Sequence, residues 1–341
     1  MYANTKKINK LFLYWLITSL ILVFFIIIVG GLTRLTNSGL SITKWELLTG
    51  ILPPLNNSSW ENYFDKYKQI PQFKLLNFNM SLEEFKIIFY WEYFHRMIAR
   101  LLGIFFLVPL IYFYFSKRIK IEHLNICYLI FTLIVFQGLI GWFMVESGLI
   151  NDVTVSHYRL SIHLFIAITI ISLIFWLLRN FISNNNKKFF SLKYKYLPFQ
   201  LFIFLILIQI IMGAFVSGLD AGQIYQTWPT MGENFFPNDI IIGNAKDFFN
   251  FDNHSLVQFY HRNLAYVIIL YSFFLASYIY KKKIFFLNKS FIIVIFFLSA
   301  QVILGIFTLI GGLNIYLASM HQITSVLLIF SALNLYYLTA K

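Results

Sequence analysis

The sequence predicts an all-α polytopic membrane protein with eight transmembrane helices in two repeated four-helix bundles and both termini cytoplasmic. Three observations predict it. Hydrophobic residues make up 59% of the 341 and charged residues 12%, with a mean hydropathy of +0.72. An ordinary soluble domain carries about twice that charge, which excludes a soluble globular enzyme and a disordered chain alike. Eight stretches are long and apolar enough to cross a bilayer, and the first four resemble the last four.

A membrane helix needs about 20 mostly apolar residues. The stretches that qualify are 11–30, 86–115, 124–145, 158–178, 197–219, 254–280, 285–311 and 315–338. The first follows Lys6, Lys7 and Lys10, as a signal peptide would, but its apolar run is too long and no small-residue cleavage site follows. It reads as a retained helix. Basic residues then set orientation. Alternate connections carry Lys6, Lys7 and Lys10, then Lys117, Arg118 and Lys120, then Arg179, Lys187, Lys188, Lys193 and Lys195, then Lys281, Lys282, Lys283 and Lys289. The opposite loops after spans three and five carry acids such as Glu146, Asp152, Asp220 and Asp239. The positive-inside rule places both termini in the cytoplasm or its equivalent. The net charge of +13 is largely this asymmetry, so no nucleic-acid partner is needed. The lipid bilayer is the partner it implies. Two long outer loops, 31–85 and 220–253, are rich in Gly, Pro, Trp and Asn and read as functional lids.

The halves align. GGLTRLTNSGLSITKW (30–45) lies on GAFVSGLDAGQIYQTW (213–228) without gaps, matching Gly30, Gly39 and Trp45 with Gly213, Gly222 and Trp228. EYFHR (92–96) matches QFYHR (258–262), QGLIG (137–141) matches QVILG (301–305), and YRLSIH (158–163) loosely matches YLASMH (316–321). QIIMG (209–213) is a further Gln-x-x-x-Gly sequence. Gly permits close helix approach and Gln can bond a neighbour, so these read as packing residues. The domain expectation is a first bundle over 1–180 with the outer loop 31–85, and a second over 197–341.

Four of the seven histidines lie inside spans: His95, His163, His261 and His321, one on each even-numbered span near its outer start. Ionisable residues there are costly and mark function. Two histidines on two helices of one bundle can clamp a heme iron, and two such pairs imply two heme pockets. Four core histidines bonded to their own bundle is the competing reading. Zinc fits less well, because it prefers a fuller tetrahedral set. Arg96 and Arg262 directly follow His95 and His261, and Arg159 lies one turn before His163. A guanidinium suits a heme propionate; anchoring at the membrane surface is the alternative.

Glu92 lies three residues before His95, hence on the same face, and the matching position in the second half is Gln258. The halves therefore share candidate ligands and differ in acid chemistry. This suggests proton-coupled chemistry in the first half and an electron-transfer or stabilising site in the second. A purely structural pairing of Glu92 with Arg96 or Arg100 is the other reading. His123 reads as solvated beside the inner basic cluster, His157 as a loop residue before span four, and His254 as an outer-edge residue. One cysteine, Cys127, excludes an intrachain disulfide.

Together these residues resemble the heme A synthase family, in particular its alphaproteobacterial and mitochondrial branch. The resemblance rests on GGLTRLTNSGLSITKW (30–45), GILPP (50–54), FKIIFYWEYFHRMIARLLG (85–103), YRLSIHL (158–164), GLDAGQIYQTWPTMG (218–232), QFYHRNLAY (258–266) and LASMHQ (317–322), and so covers nearly the whole chain. It implies a heme-dependent membrane oxidoreductase that oxidises the C8 methyl of heme O to the formyl of heme A, for cytochrome oxidase. By that resemblance His261 and His321 ligate a heme b cofactor, with Arg262 beside them. His95 and His163, with Arg96 and Arg159, belong to the pocket of the substrate heme O, a second heme. Glu92 matches the family's essential acid. Heme O synthase and cytochrome c oxidase assembly are the implied partners, with an electron donor or acceptor that the sequence does not name. The cysteine pair of the Gram-positive branch is missing from the first outer loop, and His157 stands where this branch usually has Pro.

The alternative is a di-heme b-type transmembrane electron-transfer cytochrome, which would use the same four histidines without the acid. A transporter is a third reading, disfavoured by the scarcity of mid-membrane acids. A bis-histidine iron has no open site for oxygen. Either one histidine leaves during turnover or electrons leave through the macrocycle, and the sequence leaves both routes open. The lack of an Arg/Ser-rich presequence points to a bacterial inner membrane, with the heme sites toward the periplasm.

Overall fold

The structure, a computed structural model, describes residues 2–45, 49–150, 152–190, 193–241 and 243–340. Among them are ten α-helices and no β-strand beyond one isolated bridge, Met231 to Asn234. The chain divides into two compact units, Met1–Ile182 and Ser183–Lys341.

The first unit holds α1 (Tyr2–Leu35), α2 (Asn57–Tyr67), α3 (Pro71–Leu75), α4 (Leu82–Ser116), α5 (Ile121–Ile150) and α6 (His157–Ile182). The second holds α7 (Leu197–Gly218), α8 (His254–Lys281), α9 (Asn288–Ile310) and α10 (Ile315–Thr339). All but α2 and α3 are long and apolar enough to cross a membrane. In the first unit α1 packs on α4 and α6, and α5 joins α4 to α6. In the second α7 packs on α8 and α10, and α9 joins α8 to α10. Each unit is thus a closed four-helix bundle. Large apolar side chains such as Ile21, Phe25, Ile104, Phe273 and Phe296 are exposed on the span surfaces. In a multi-pass membrane protein those faces meet lipid, which is as apolar as they are.

Polar groups fix the helix ends that the apolar runs leave vague. Ser81 and Glu84 form a reciprocal capping box that starts α4 four residues ahead of its apolar stretch. Asn253 caps α8 by accepting from Leu256 N–H, and Asn314 caps α10 by accepting from Tyr316 N–H. At 35 residues α4 is about 52 Å long, against a hydrocarbon core of about 30 Å. Its first turns, with Glu83, Glu84 and Lys86, therefore stand beyond the hydrocarbon.

The first long loop is folded around its own core. Leu40, Ile42, Trp60, Phe64, Tyr67 and Ile70 bury against Phe85 and Phe89 at the N-terminal end of α4 and against Val155. Tyr67, fully buried, donates to Gln72 Oε1 (2.9 Å) and accepts from Asn77 Nδ2 (2.7 Å). Gln72 Nε2 in turn donates to the Asn37 carbonyl, which ties α3 to the end of α1.

Two minor readings are corrected. His123 is not solvated: it is 4% exposed, with its ring against Phe181 at 5.8 Å. α5 begins at Ile121, and its first turn packs inward on α6. His157 is not in a loop: it is the first residue of α6, 8% exposed, with its ring tilted by 38° against that of Tyr158, centroids 4.1 Å apart.

Candidate functional site

The four span histidines sit on α4, α6, α8 and α10, each partly buried. Each ring lies on a glycine of the preceding membrane span. A Cβ built at Gly30 would come 2.9 Å from His95 Cε1. At Gly141 it would meet His163 Cε1 at 3.2 Å, at Gly213 His261 Cε1 at 3.2 Å, and at Gly305 His321 Cε1 at 3.0 Å. No larger residue leaves the rings where they are. These glycines do more than let helices approach. They make the recess for the imidazole edge that carries Nδ1 and Cε1.

In all four histidines Nδ1 is buried and has no hydrogen-bond partner among the described residues. That leaves Nε2 as the nitrogen available to a ligand. In the second unit the His261 and His321 rings are 6.5 Å apart between centroids and nearly perpendicular, at 81°. Two imidazoles bonded to one metal through about 2 Å bonds need roughly that separation. The donor set therefore fits a bis-imidazole iron. Among the described residues no group of three or more His, Cys, Asp or Glu is gathered for a bare metal ion.

Three of the histidines are also held through their backbones. Gln137 Nε2 donates to the His163 carbonyl (3.0 Å), Gln209 Nε2 to the His261 carbonyl (3.0 Å) and Gln301 Nε2 to the His321 carbonyl (2.6 Å). These glutamines lie one turn before Gly141, Gly213 and Gly305. They hydrogen-bond the neighbouring helix, as expected of packing residues, but at the histidines themselves.

Glu92 is 2% exposed. Its Oε2 accepts from the Ser41 hydroxyl (2.7 Å) and from Ile42 N–H (2.8 Å), and its Oε1 accepts from Arg96 Nη2 (2.5 Å). Ser41 and Ile42 were not singled out from sequence. The only signal was their place in the 30–45 segment that aligns between the halves. Gln258, also 2% exposed, does the opposite: its Nε2 donates to the Tyr225 carbonyl (2.9 Å). The arginines behave alike in both units. Arg96 donates to the Ile42 and Lys44 carbonyls, and Arg262 to the Tyr225, Thr227 and Thr230 carbonyls. Ile42 and Lys44 are the residues that the alignment pairs with Tyr225 and Thr227. Arg159 donates to the Phe143 carbonyl (2.6 Å) and stacks on the Phe143 ring (3.7 Å), joining α5 to α6. These three guanidiniums thus hold backbone beside the histidine-bearing ends of their bundles.

The long loop of the second unit, between α7 and α8, has its own clasp. Asp239 accepts from the Tyr225 hydroxyl and the Ser255 hydroxyl, both at 2.6 Å. Burial alone would raise its pKa, but the two hydroxyl donors outweigh that and hold it below the usual carboxylate value. The same bond raises the Tyr225 phenol. A folded pKa below the unfolded one gives stability that is present above the unfolded value, about pH 4, and lost as pH falls through the folded one. Asp239→Asn is therefore expected to loosen loop 220–253 slightly at neutral pH, because the group is exposed. It is also expected to remove the extra loosening that the wild type shows in acid. Hydrogen exchange of the loop across pH 3–7 measures both.

The fold and site together define a polytopic helical membrane protein with paired histidines facing one another inside a four-helix bundle. The family described as COX15-CtaA, cytochrome oxidase assembly protein, matches residues 13–333, and the chain belongs to it. It is 48% identical over 334 residues to a protein of Pelagibacter ubique named Heme A synthase, covering 97% of each chain. Proteins of the same name from Flavobacterium psychrophilum (38% over 336 residues) and Rickettsia canadensis (39% over 331) are similar too, each covering 95% of this chain and 96% of the relative.

Proposed function

We propose that this protein is a heme A synthase, a membrane oxidoreductase that converts the C8 methyl of heme O to the formyl of heme A. The observation that carries the proposal is near-full-length identity, 48% over 97% of both chains, to a protein of that name. The geometry supports it: two histidine-bearing bundles of like design place a buried acid, Glu92, in one where the other has Gln258. In this reading His261 and His321 hold heme b, which supplies redox equivalents when bound, and His95 and His163 form the pocket of the substrate heme O. The second-unit bundle is 197–341 and the first 1–180.

Glu92 moves the proton. Its Oε2 is occupied by two donors and its Oε1 by Arg96 alone, so Oε1 keeps the freer lone pair for a proton leaving the oxidised methyl. Arg96, Arg159 and Arg262 order the outer openings, where carboxylate side chains of a heme would meet the polar interface. Both termini are cytoplasmic, and the pockets open toward the periplasmic side of a bacterial inner membrane. Heme O synthase stands upstream and cytochrome oxidase assembly downstream. The test is expression in cells that make heme O and lack their own synthase. Appearance of heme A in their membranes supports the reading, and heme O without heme A contradicts it.

A further inference from the structure

The four histidines differ in one respect. His163, His261 and His321 are each held by two devices on the preceding span, a glycine under the ring and a glutamine amide on the backbone carbonyl. A carbonyl oxygen only accepts, so the amide nitrogen is the atom that faces it. In the second unit Gln209 Nε2 also lies 3.4 Å from His261 Nε2. A metal-bound histidine is usually oriented by a partner on its other ring nitrogen. Here Nδ1 has no partner in any of the four, so the glutamine is the polar group that fixes the residue.

His95 keeps the glycine and lacks the glutamine. One turn before Gly30 stands Ile26, which has no donor. Among the described residues no side chain reaches the His95 carbonyl. α4 is instead tied on the outer side of His95. Thr33 Oγ1, on α1, donates to the Trp91 carbonyl (3.3 Å), and the Glu92 carboxylate accepts from the Ser41 hydroxyl and from Ile42 N–H. Near His95, α4 is therefore tied to α1 through Thr33 and to the loop after α1 through Glu92, with no bond to the His95 carbonyl itself, whereas its three counterparts are held at their own carbonyls by the neighbouring membrane helix.

From this we infer that His95 is the exchangeable heme ligand, the one that yields to open an axial position, and that Gln137, Gln209 and Gln301 are positioning residues that keep the other three in place. The inference rests on the reading of the four histidines as heme ligands. It answers the question of how a bis-histidine site gives access to a small diatomic molecule.

The test is carbon monoxide uptake by the reduced protein, purified with its hemes, read as a difference spectrum per heme. Carbon monoxide binds ferrous heme only where an axial position opens. The wild type is expected to take it up at one heme. Ile26→Gln supplies the missing amide and should lower that uptake about tenfold, the usual scale for a group that orients a metal ligand. Ile26→Met, of similar length and without an amide, should behave as the wild type. Gln209→Met removes an amide from the second unit and should raise uptake there about tenfold. If Ile26→Gln fails to accumulate in membranes, Gln209→Met carries the test alone. No uptake by the wild type, or hemes retained in full with neither variant changing uptake, overturns the inference. Full heme retention in His95→Ala and His261→Ala would instead overturn the ligand reading beneath it.

Discussion

Glu92→Gln is expected to lower heme A formation by two to four orders of magnitude, about the contribution of a positioned acid or base. The substitution is nearly isosteric, and its carbonyl oxygen can still accept from Ile42 N–H. What it removes is the ability of Oε1 to take a proton and the charge that faces Arg96. The pair is nearly dry, with side chains 3% and 11% exposed. Breaking such a pair by removing one charge commonly costs about 3–5 kcal/mol. Loss of fold must therefore be separated from loss of chemistry. Ser41→Ala removes one donor to Oε2 and leaves the carboxylate, so it should weaken the closure of the outer loop while retaining heme A formation. The ratio of heme O to heme A extracted from membranes reads both variants. Undiminished heme A in Glu92→Gln would remove Glu92 from the chemistry and leave it a clamp on the loop.

The second large effect is at the second-unit pocket. His261→Ala is expected to deprive the protein of heme b, because the ring 6.5 Å from His321 is half of the ligand pair. Gly213→Val should do much the same without touching a ligand. A Cβ there already comes within 3.2 Å of His261 Cε1, and two further methyl groups must displace the ring or part α7 from α8. Overpacking of this kind costs about 1–3 kcal/mol in stability, which a bundle of this size survives. The expected signature is a folded protein in the membrane with its heme b content reduced about tenfold or more. Ordinary heme b in Gly213→Val would mean that the ring has room to move, and that the glycine serves helix packing alone.

Much of this architecture was legible from sequence, and the reasons are physical. Each span is a long apolar run because lipid demands it, so all eight were visible. All but one of their ends lie within five residues of the apolar stretch, because caps such as Ser81 with Glu84 extend helices beyond it, and α1 begins nine residues early, at Tyr2. The candidate ligands were visible for the same reason, since a histidine stands out in hydrocarbon. The support around them was less visible. Nothing in a local pattern says that Ser41 and Ile42 close over Glu92 some fifty residues away, or that Arg96 and Arg262 spend their donors on loop carbonyls. The burial of His123 was hidden by the lysines beside it. The alignment of the halves was the most informative signal. It pairs Ile42 with Tyr225 and Lys44 with Thr227, and these are the carbonyls that the two arginines hold. The glutamines form a legible motif, but their target, the histidine carbonyl, depends on how α5, α7 and α9 pack on α6, α8 and α10.

A chain that carries a cofactor heme and a substrate heme on two pairs of histidines must show both in its heme content. The most direct measurement is the heme content of protein purified from cells that make heme O, extracted in acid and separated by chromatography with mass detection. Heme b together with heme O or heme A is expected, with heme b lost in His261→Ala and heme A lost in Glu92→Gln. Heme b alone, at two per chain and unchanged by Glu92→Gln, would contradict it in favour of an electron-transfer cytochrome, and protein without any heme would contradict the ligand reading itself.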